Sequence, residues 1–240
     1  MKTITITLYE FGELADEVRK EMAEKKCFDV MNDVMSCHGS EYEASLKAFK
    51  DATGFGAKNW EVGYCTHHFR RDNPEWAEMG SDDCPLYAED ISGKLLWRWC
   101  YRFVESNRRG EWQSISWDKK NRILYAGRGH VERRSRIIME PITGGWCPWT
   151  GCCTDCALVE PIVDFYLNYH RGKYSEHYTL EDLIDDCLEK FFDEWESEYN
   201  AYGDNKDGCV EEELECRYEG DWFYANGKRF MGDIEELEAA

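Results

Sequence analysis

The sequence predicts a helix-rich α+β domain with a small antiparallel sheet, ending in an acidic helix and a hairpin. Three observations predict it. Along residues 180–199, Leu180, Leu183, Ile184, Cys187, Leu188, Phe191, Phe192, Trp195 and Tyr199 recur at spacings of three and four, the period of a helix with one buried face. Two short aromatic or β-branched runs, 112–117 and 123–126, are joined by Asp118-Lys119-Lys120-Asn121 as a hairpin. Asn226-Gly227 stands between Trp222-Phe223-Tyr224 and Arg229-Phe230-Met231, the signal for a hairpin with a type I′ turn. With 10 Trp, 14 Tyr and 11 Phe in 240 residues, the chain can fill one sizeable core, so residues 1–240 read as a single domain with a sub-boundary near 140–154.

The elements follow in order. Ile4, Ile6 and Leu8 alternate with polar residues, which predicts a first strand over 3–9. Phe11, Leu14, Val18 and Met22 then make a helical stripe over 10–25, and Phe28, Met31 and Met35 another over 27–35. Gly39-Ser40 is expected to interrupt the helix before it resumes over 41–52 with Leu46 and Phe49. Trp60, Val62 and Tyr64 predict one strand over 59–67, and the Pro and Gly residues of 72–90 predict a loop. Ser92 caps a helix over 95–105 carrying Leu95, Trp99 and Phe103. A third strand is expected over 133–139. A helix over 156–169 should hold Pro161 in its first turn, where no backbone donor is needed. Thr179 caps the long helix over 180–199, and an acidic helix spans 210–218.

Charge restricts the partners. The chain carries a formal −20. Residues 94–136 hold twelve Lys and Arg against four acids, whereas 178–240 holds twenty-one acids against five bases. Such a field favours basic partners and disfavours direct binding to free nucleic acid, whose affinity comes mainly from cations on phosphates. Within the basic island, Arg98, Arg102, Arg133, Arg134 and Arg136 interleave with Trp97, Tyr101 and Trp112, a pattern suited to charge plus base stacking. Internal pairing with the acidic remainder is the competing reading. In the acidic part, Glu211, Glu212, Glu213 and Glu215 on the last helix and Asp185, Asp186 and Glu189 on the long helix are candidate partner-binding residues. A solvated helix face is the simpler account of each run taken alone.

Twelve cysteines without a signal peptide's apolar block predict a reducing cytosol and no disulfide framework. No run of 18 apolar residues predicts a membrane span. Cys147, Cys152, Cys153 and Cys156 lie within ten residues and have the composition of a zinc site. Adjacent thiolates rarely share one ion, so packing beneath a tight loop that leads into a helix is the preferred reading of these cysteines. Zinc is the one cofactor the sequence raises. Cys65, His67, His68 and Cys84 form a looser second set; in a strand His67 and His68 face opposite sides, so a strand ending in polar residues is the preferred reading. Residues 203–214 resemble half a calcium loop but place Gly203 and Leu214 where the two essential carboxylates belong, which predicts a plain turn.

The opening 6–18, the Cys-Pro-Trp-Thr-Gly-Cys-Cys turn at 147–153 and the helix at 178–187 resemble a largely uncharacterised family of phage and prophage accessory proteins. The resemblance implies a phage-borne origin in a bacterial host cytosol and carries over no catalytic residue. A small acidic phage protein most often acts on a host protein. The expectation is therefore a non-enzymatic inhibitor of a host defence nuclease, of anti-CRISPR or anti-restriction type, that mimics nucleic acid on a basic cleft. The alternative is a cytosolic zinc-stabilised regulator, or a nucleic-acid binder using residues 98–136.

Overall fold

The computed structural model describes residues 6–74, 87–106, 115–118, 123–126, 149–150 and 153–232; for 101–106, 115–118 and 123–126 it gives secondary structure alone. Helix α1 is Asp16–Thr53, α2 is Gly93–Ser106, α3 is Asp155–Asn168, α4 is Leu180–Gly203 and α5 is Cys209–Arg217. Two antiparallel hairpins accompany them, β1 (Gly56–Gly63) with β2 (Thr66–Asp72) and β3 (Ile115–Asp118) with β4 (Ile123–Ala126). This is a helix-rich α+β architecture. No helix among the described residues is long and apolar enough to cross a membrane. Contacts gather the chain into two compact units, 37–196 and a smaller one built from 1–36 with 197–240.

In the larger unit, α4 contributes the stripe read from its spacing. Leu180, Leu183, Ile184, Cys187, Leu188, Phe191, Phe192 and Trp195 are all buried. Its start is fixed twice. Thr179 and Asp182 form a capping box, Asp182 N donating to Thr179 Oγ1 (3.2 Å) and Thr179 N to Asp182 Oδ2 (2.8 Å). Leu180 N also donates to Ile91 O (2.8 Å), beside the bridge from Ser92 to Thr179 that opens α2. Helix α2 packs on α3 and β4 and buries Leu96, Trp99 and Cys100.

Several local expectations are corrected. Gly39-Ser40 does not break α1, which runs through as one helix of 38 residues. A glycine inside a helix costs only about 1 kcal/mol. Buried Met35, Tyr42, Leu46 and Phe49 hold the helix on both sides of it, and Ser40 Oγ is satisfied by Cys37 O (2.9 Å). Pro161 lies inside α3, not in its first turn. The single strand expected over 59–67 is a hairpin. Residues 64–65 make its turn, Cys65 adopts φ 56°, and a bulge with Asn59 at φ 52° shifts the register between Lys58 and Glu61. The runs at 115–118 and 123–126 pair as the expected hairpin, Ile115 opposite Ala126, but Asp118, expected in the turn, ends β3 opposite Ile123; residues 112–114 and 119–122 lie outside the described residues. The strand expected over 133–139 lies outside the described residues.

An ion pair ties β2 to α1. Asp72 accepts from Lys50 (2.5 Å) and Lys58 (3.2 Å). The Lys50 hydrogen bond holds the Asp72 carboxyl below its ordinary value; partial burial opposes this, and Lys58 adds to the lowering. A depressed carboxylate contributes stability above its unfolded value, near 3.8, that is lost as pH falls through the folded one. Asp72→Asn should therefore lower the melting temperature slightly at pH 7, and by progressively less as pH falls below about 3.8, as thermal melts across that range will show.

The smaller unit has its own core of Phe11, Leu14, Ala23, Cys27, Val30, Met31, Val34, Met35, Val210, Leu214 and Phe223. Of the expected first strand, residues 3–5 lie outside the described residues, and Tyr9 pairs, exchanging hydrogen bonds with Phe223 (2.9 and 2.8 Å). A short 3-10 turn, Phe11–Glu13, precedes α1. The C-terminal hairpin forms around Asn226-Gly227 with a different turn. Gly227 N donates to Tyr224 O (2.9 Å) and Tyr224 N to Lys228 O (2.9 Å), with Gly227 alone at positive φ (77°). That is a three-residue loop closed by a left-handed glycine, not a type I′ turn. A side chain there would meet Met22 Sδ at 2.8 Å and Val18 Cγ1 at 2.9 Å, so the glycine also lets the loop lie against α1.

Candidate functional site

Strand β2 is polar but alternates: His67, Phe69 and Arg71 are half-buried, His68 and Arg70 exposed. The inward set meets α4. Phe69 stacks on Phe192 (4.7 Å between centroids, 15°), and this apolar contact positions the two polar residues beside it. Arg71 forks between Glu181 and Asp185, with Nη1 2.6 Å from Asp185 Oδ2. The His67 Nδ1 lies 2.6 Å from Glu196 Oε2, and its Nε2 faces Glu189 Oε1 at 3.7 Å and Asp193 Oδ1 at 4.0 Å. A carboxylate only accepts, so Nδ1 carries the proton toward Glu196.

Beyond these contacts α4 is an acidic ridge. Its sequence holds nine acids and one lysine. Asp182, Asp186, Glu189 and Asp193 share a face and are all exposed; at about 1.5 Å rise per residue the row is roughly 16 Å long. Lys190 is engaged by Glu160 (2.9 Å) and Glu194 (3.5 Å) and does not neutralise the row. The Glu194 carboxyl is raised, first by burial, with Lys190 opposing. Of the predicted partner-binding residues on α4, Asp186 and Glu189 are exposed in this row. Asp185 is exposed too but is paired with Arg71.

In the smaller unit α5 divides its acids. Glu212 and Glu215 are exposed, whereas Glu211 and Glu213 are half-buried. Glu213 accepts from Arg217 Nε (2.8 Å), whose Nη1 reaches Asp33 (2.7 Å). Asn205 Oδ1 accepts from Val210 N (3.0 Å), so residues 203–210 form the expected plain turn. A cleft of about 420 Å³ lies between Glu10, Phe11, Glu215, Cys216, Tyr218 and Glu219. Tyr224 and Trp222 are half-buried.

The loop entering α3 is organised by a residue that the sequence reading passed over. Asp155 is fully buried and accepts four hydrogen bonds, from Trp149 N (2.8 Å), Thr150 N (2.7 Å), Ser45 Oγ (2.6 Å) and Thr150 Oγ1 (3.0 Å). Ser45 Oγ lies 2.7 Å from Thr154 Oγ1 as well. Of the predicted zinc ligands, Cys153 is exposed and Cys156 half-buried, while Cys147 and Cys152 lie outside the described residues. Burial pushes the Cys100 and Cys187 thiols well up, and these two behave as small apolar side chains. In the basic island Arg98 is half-buried on α2 and Arg102 lies on the same helix. Arg133, Arg134 and Arg136 lie outside the described residues, as does Cys84.

Searches against family models, curated proteins and solved structures find no match to this chain. His67, Arg71 and Asp155 do most to define the local geometry. His67 was visible in the sequence as half of a His-His pair in a strand. Nothing local joins it to Glu189 and Asp193, more than 120 residues away.

Proposed function

We propose that the protein is a non-enzymatic binding protein that presents the acidic ridge of α4 to a basic, nucleic-acid-binding surface of another protein. The observation that carries this reading is the exposed row Asp182, Asp186, Glu189 and Asp193 on a helix whose opposite side is locked in a core. A rigid row of carboxylates offers a basic cleft the charge it holds for phosphates, without ordering a flexible tail on binding. Glu212 and Glu215 on α5 offer a second, smaller acidic surface. The resemblance of 6–18, 147–153 and 178–187 to phage accessory proteins supplies the setting. The partner is then a host defence nuclease, a CRISPR effector or a restriction enzyme, and the protein is its inhibitor.

The test is a pull-down from bacterial lysate at low salt, followed by titration of the captured nuclease. Asp186→Asn, Glu189→Gln and Asp193→Asn combined should weaken binding about tenfold or more and flatten its salt dependence, because exposed interfacial charges act mainly through association and are screened by salt. The same variant should restore nuclease activity. Unchanged affinity at low salt would remove α4 from the interface. Competition by a nucleic-acid duplex for the same cleft would distinguish mimicry from binding elsewhere on the nuclease.

A further inference from the structure

We infer that His67 Nε2, Glu189 and Asp193 form a binding site for a divalent transition-metal cation such as zinc, with Glu196 as the positioning residue behind the imidazole. One ligand atom from each of the three lies within 4.8 Å of the other two. What separates this cluster from an acidic patch is the imidazole. Its Nδ1 is engaged by Glu196 at 2.6 Å, which leaves Nε2 as the ring atom that faces the two carboxylate oxygens and can ligate a metal there. At 3.7 and 4.0 Å these are too far for hydrogen bonds, and the three potential ligand atoms stand at separations that one ion can span.

The ring is held independently of Glu196. It lies nearly parallel to Phe192 (14°) and to Phe69 (15°), and its side chain is 13% exposed. Carboxylate, histidine and metal in series is the arrangement that fixes the tautomer and raises the basicity of a ligating histidine. Glu189 and Asp193 stand one turn apart on α4 with exposed side chains, so small rotations bring their oxygens to the roughly 2.0–2.2 Å that zinc requires, with a fourth position left for water. An imidazole with two carboxylates suits zinc or cobalt better than magnesium or calcium, which take oxygen alone. The site does not depend on the α4 ridge docking on a partner.

The probe is cobalt(II), titrated into the intact, metal-stripped protein under reducing conditions and followed by its visible absorption, with zinc as competitor. One equivalent should bind without a sulfur-to-cobalt charge-transfer band and be displaced by zinc. His67→Ala and the pair Glu189→Gln with Asp193→Asn should each abolish that equivalent while leaving the metal-free circular dichroism unchanged. Glu196→Gln should weaken it by about tenfold or more, as for other partners of metal-bound histidines. Glu194→Gln, equally acidic and on the same helix, should leave it intact, as should Cys153→Ser with Cys156→Ser. Binding that survives His67→Ala, that carries the thiolate band, or that falls equally with Glu194→Gln would overturn the assignment, and so would no binding at all. Because the two surface carboxylate changes leave the imidazole and core in place, a fold defect in His67→Ala would not leave the question undecided.

Discussion

Replacing Asp155 with alanine is expected to lower stability by about 3–5 kcal/mol, from losing hydrogen bonds to a charged acceptor and leaving two amides unsatisfied at roughly 1–3 kcal/mol each, and the melting temperature by roughly 10 °C. The carboxylate is fully buried and accepts from two backbone N–H groups and two hydroxyls. Alanine would leave the Trp149 and Thr150 amides without the acceptor they share. The hydroxyls of Ser45 and Thr150 can rotate. Asparagine is therefore expected to fall between: its oxygen keeps the two amides, its nitrogen donates to hydroxyls that switch to accepting, and the loss is about 1–2 kcal/mol, near that of one or two neutral hydrogen bonds. Ser45→Ala should match it, since Asp155 keeps three donors. Denaturant melts of the three variants decide the point. An alanine variant no less stable than the asparagine one would show that the loop is held by something other than Asp155.

The network also explains which parts of the structure the sequence could disclose. Helix α4 was legible because its period and its cap, Thr179 with Asp182, act within a few residues of each other. The hairpins at 115–126 and 222–230 were legible for the same reason, although Gly227 selects a longer turn than the dipeptide suggests. Continuity of α1 through Gly39 was not, since a glycine's local penalty shows in the sequence and the packing that overrides it does not. Strand β2 was hidden by composition: Thr-His-His-Phe-Arg-Arg-Asp offers one apolar residue, and its inward face is completed by α4 carboxylates from the far side of the chain. Its turn at 64–65 carries no glycine or proline to announce it. Asp155 is the extreme case. Hydropathy places an aspartate at the surface, and only the four donors converging on it allow it inside. The acidic face of α4 was legible from its run of carboxylates, whereas the cluster of His67 with Glu189 and Asp193 was not, being an assembly of residues from β2 and α4 that no local spacing connects.

Trp195→Ala is expected to be as damaging as the loss of Asp155, about 3–5 kcal/mol for a large buried aromatic truncated to alanine, and it reaches the candidate site by another route. The indole, 3% exposed, lies face to face with Tyr42 (4.5 Å, 6°) and carries Trp60 of β1 at 5.0 Å. It also sits 6.1 Å from Phe192, whose ring supports Phe69 and His67 of β2. Removing it empties the space that joins α1, the hairpin and α4. Its Nε1 is buried without a hydrogen-bond partner among the described residues, so the polar atom contributes nothing there that phenylalanine would lack. Trp195→Phe should therefore lose only packing volume, roughly 1–2 kcal/mol, with part of the loss returned by the absent donor. The two variants separate stability from positioning. Thermal melts should rank alanine far below phenylalanine. In the phenylalanine variant, cobalt affinity should stay within about threefold of the original, because Phe192 still orients the imidazole. A phenylalanine variant as unstable as the alanine one would mean that Trp195 Nε1 does have a partner in solution, and that this end of α4 is held by a polar contact as well as by stacked rings.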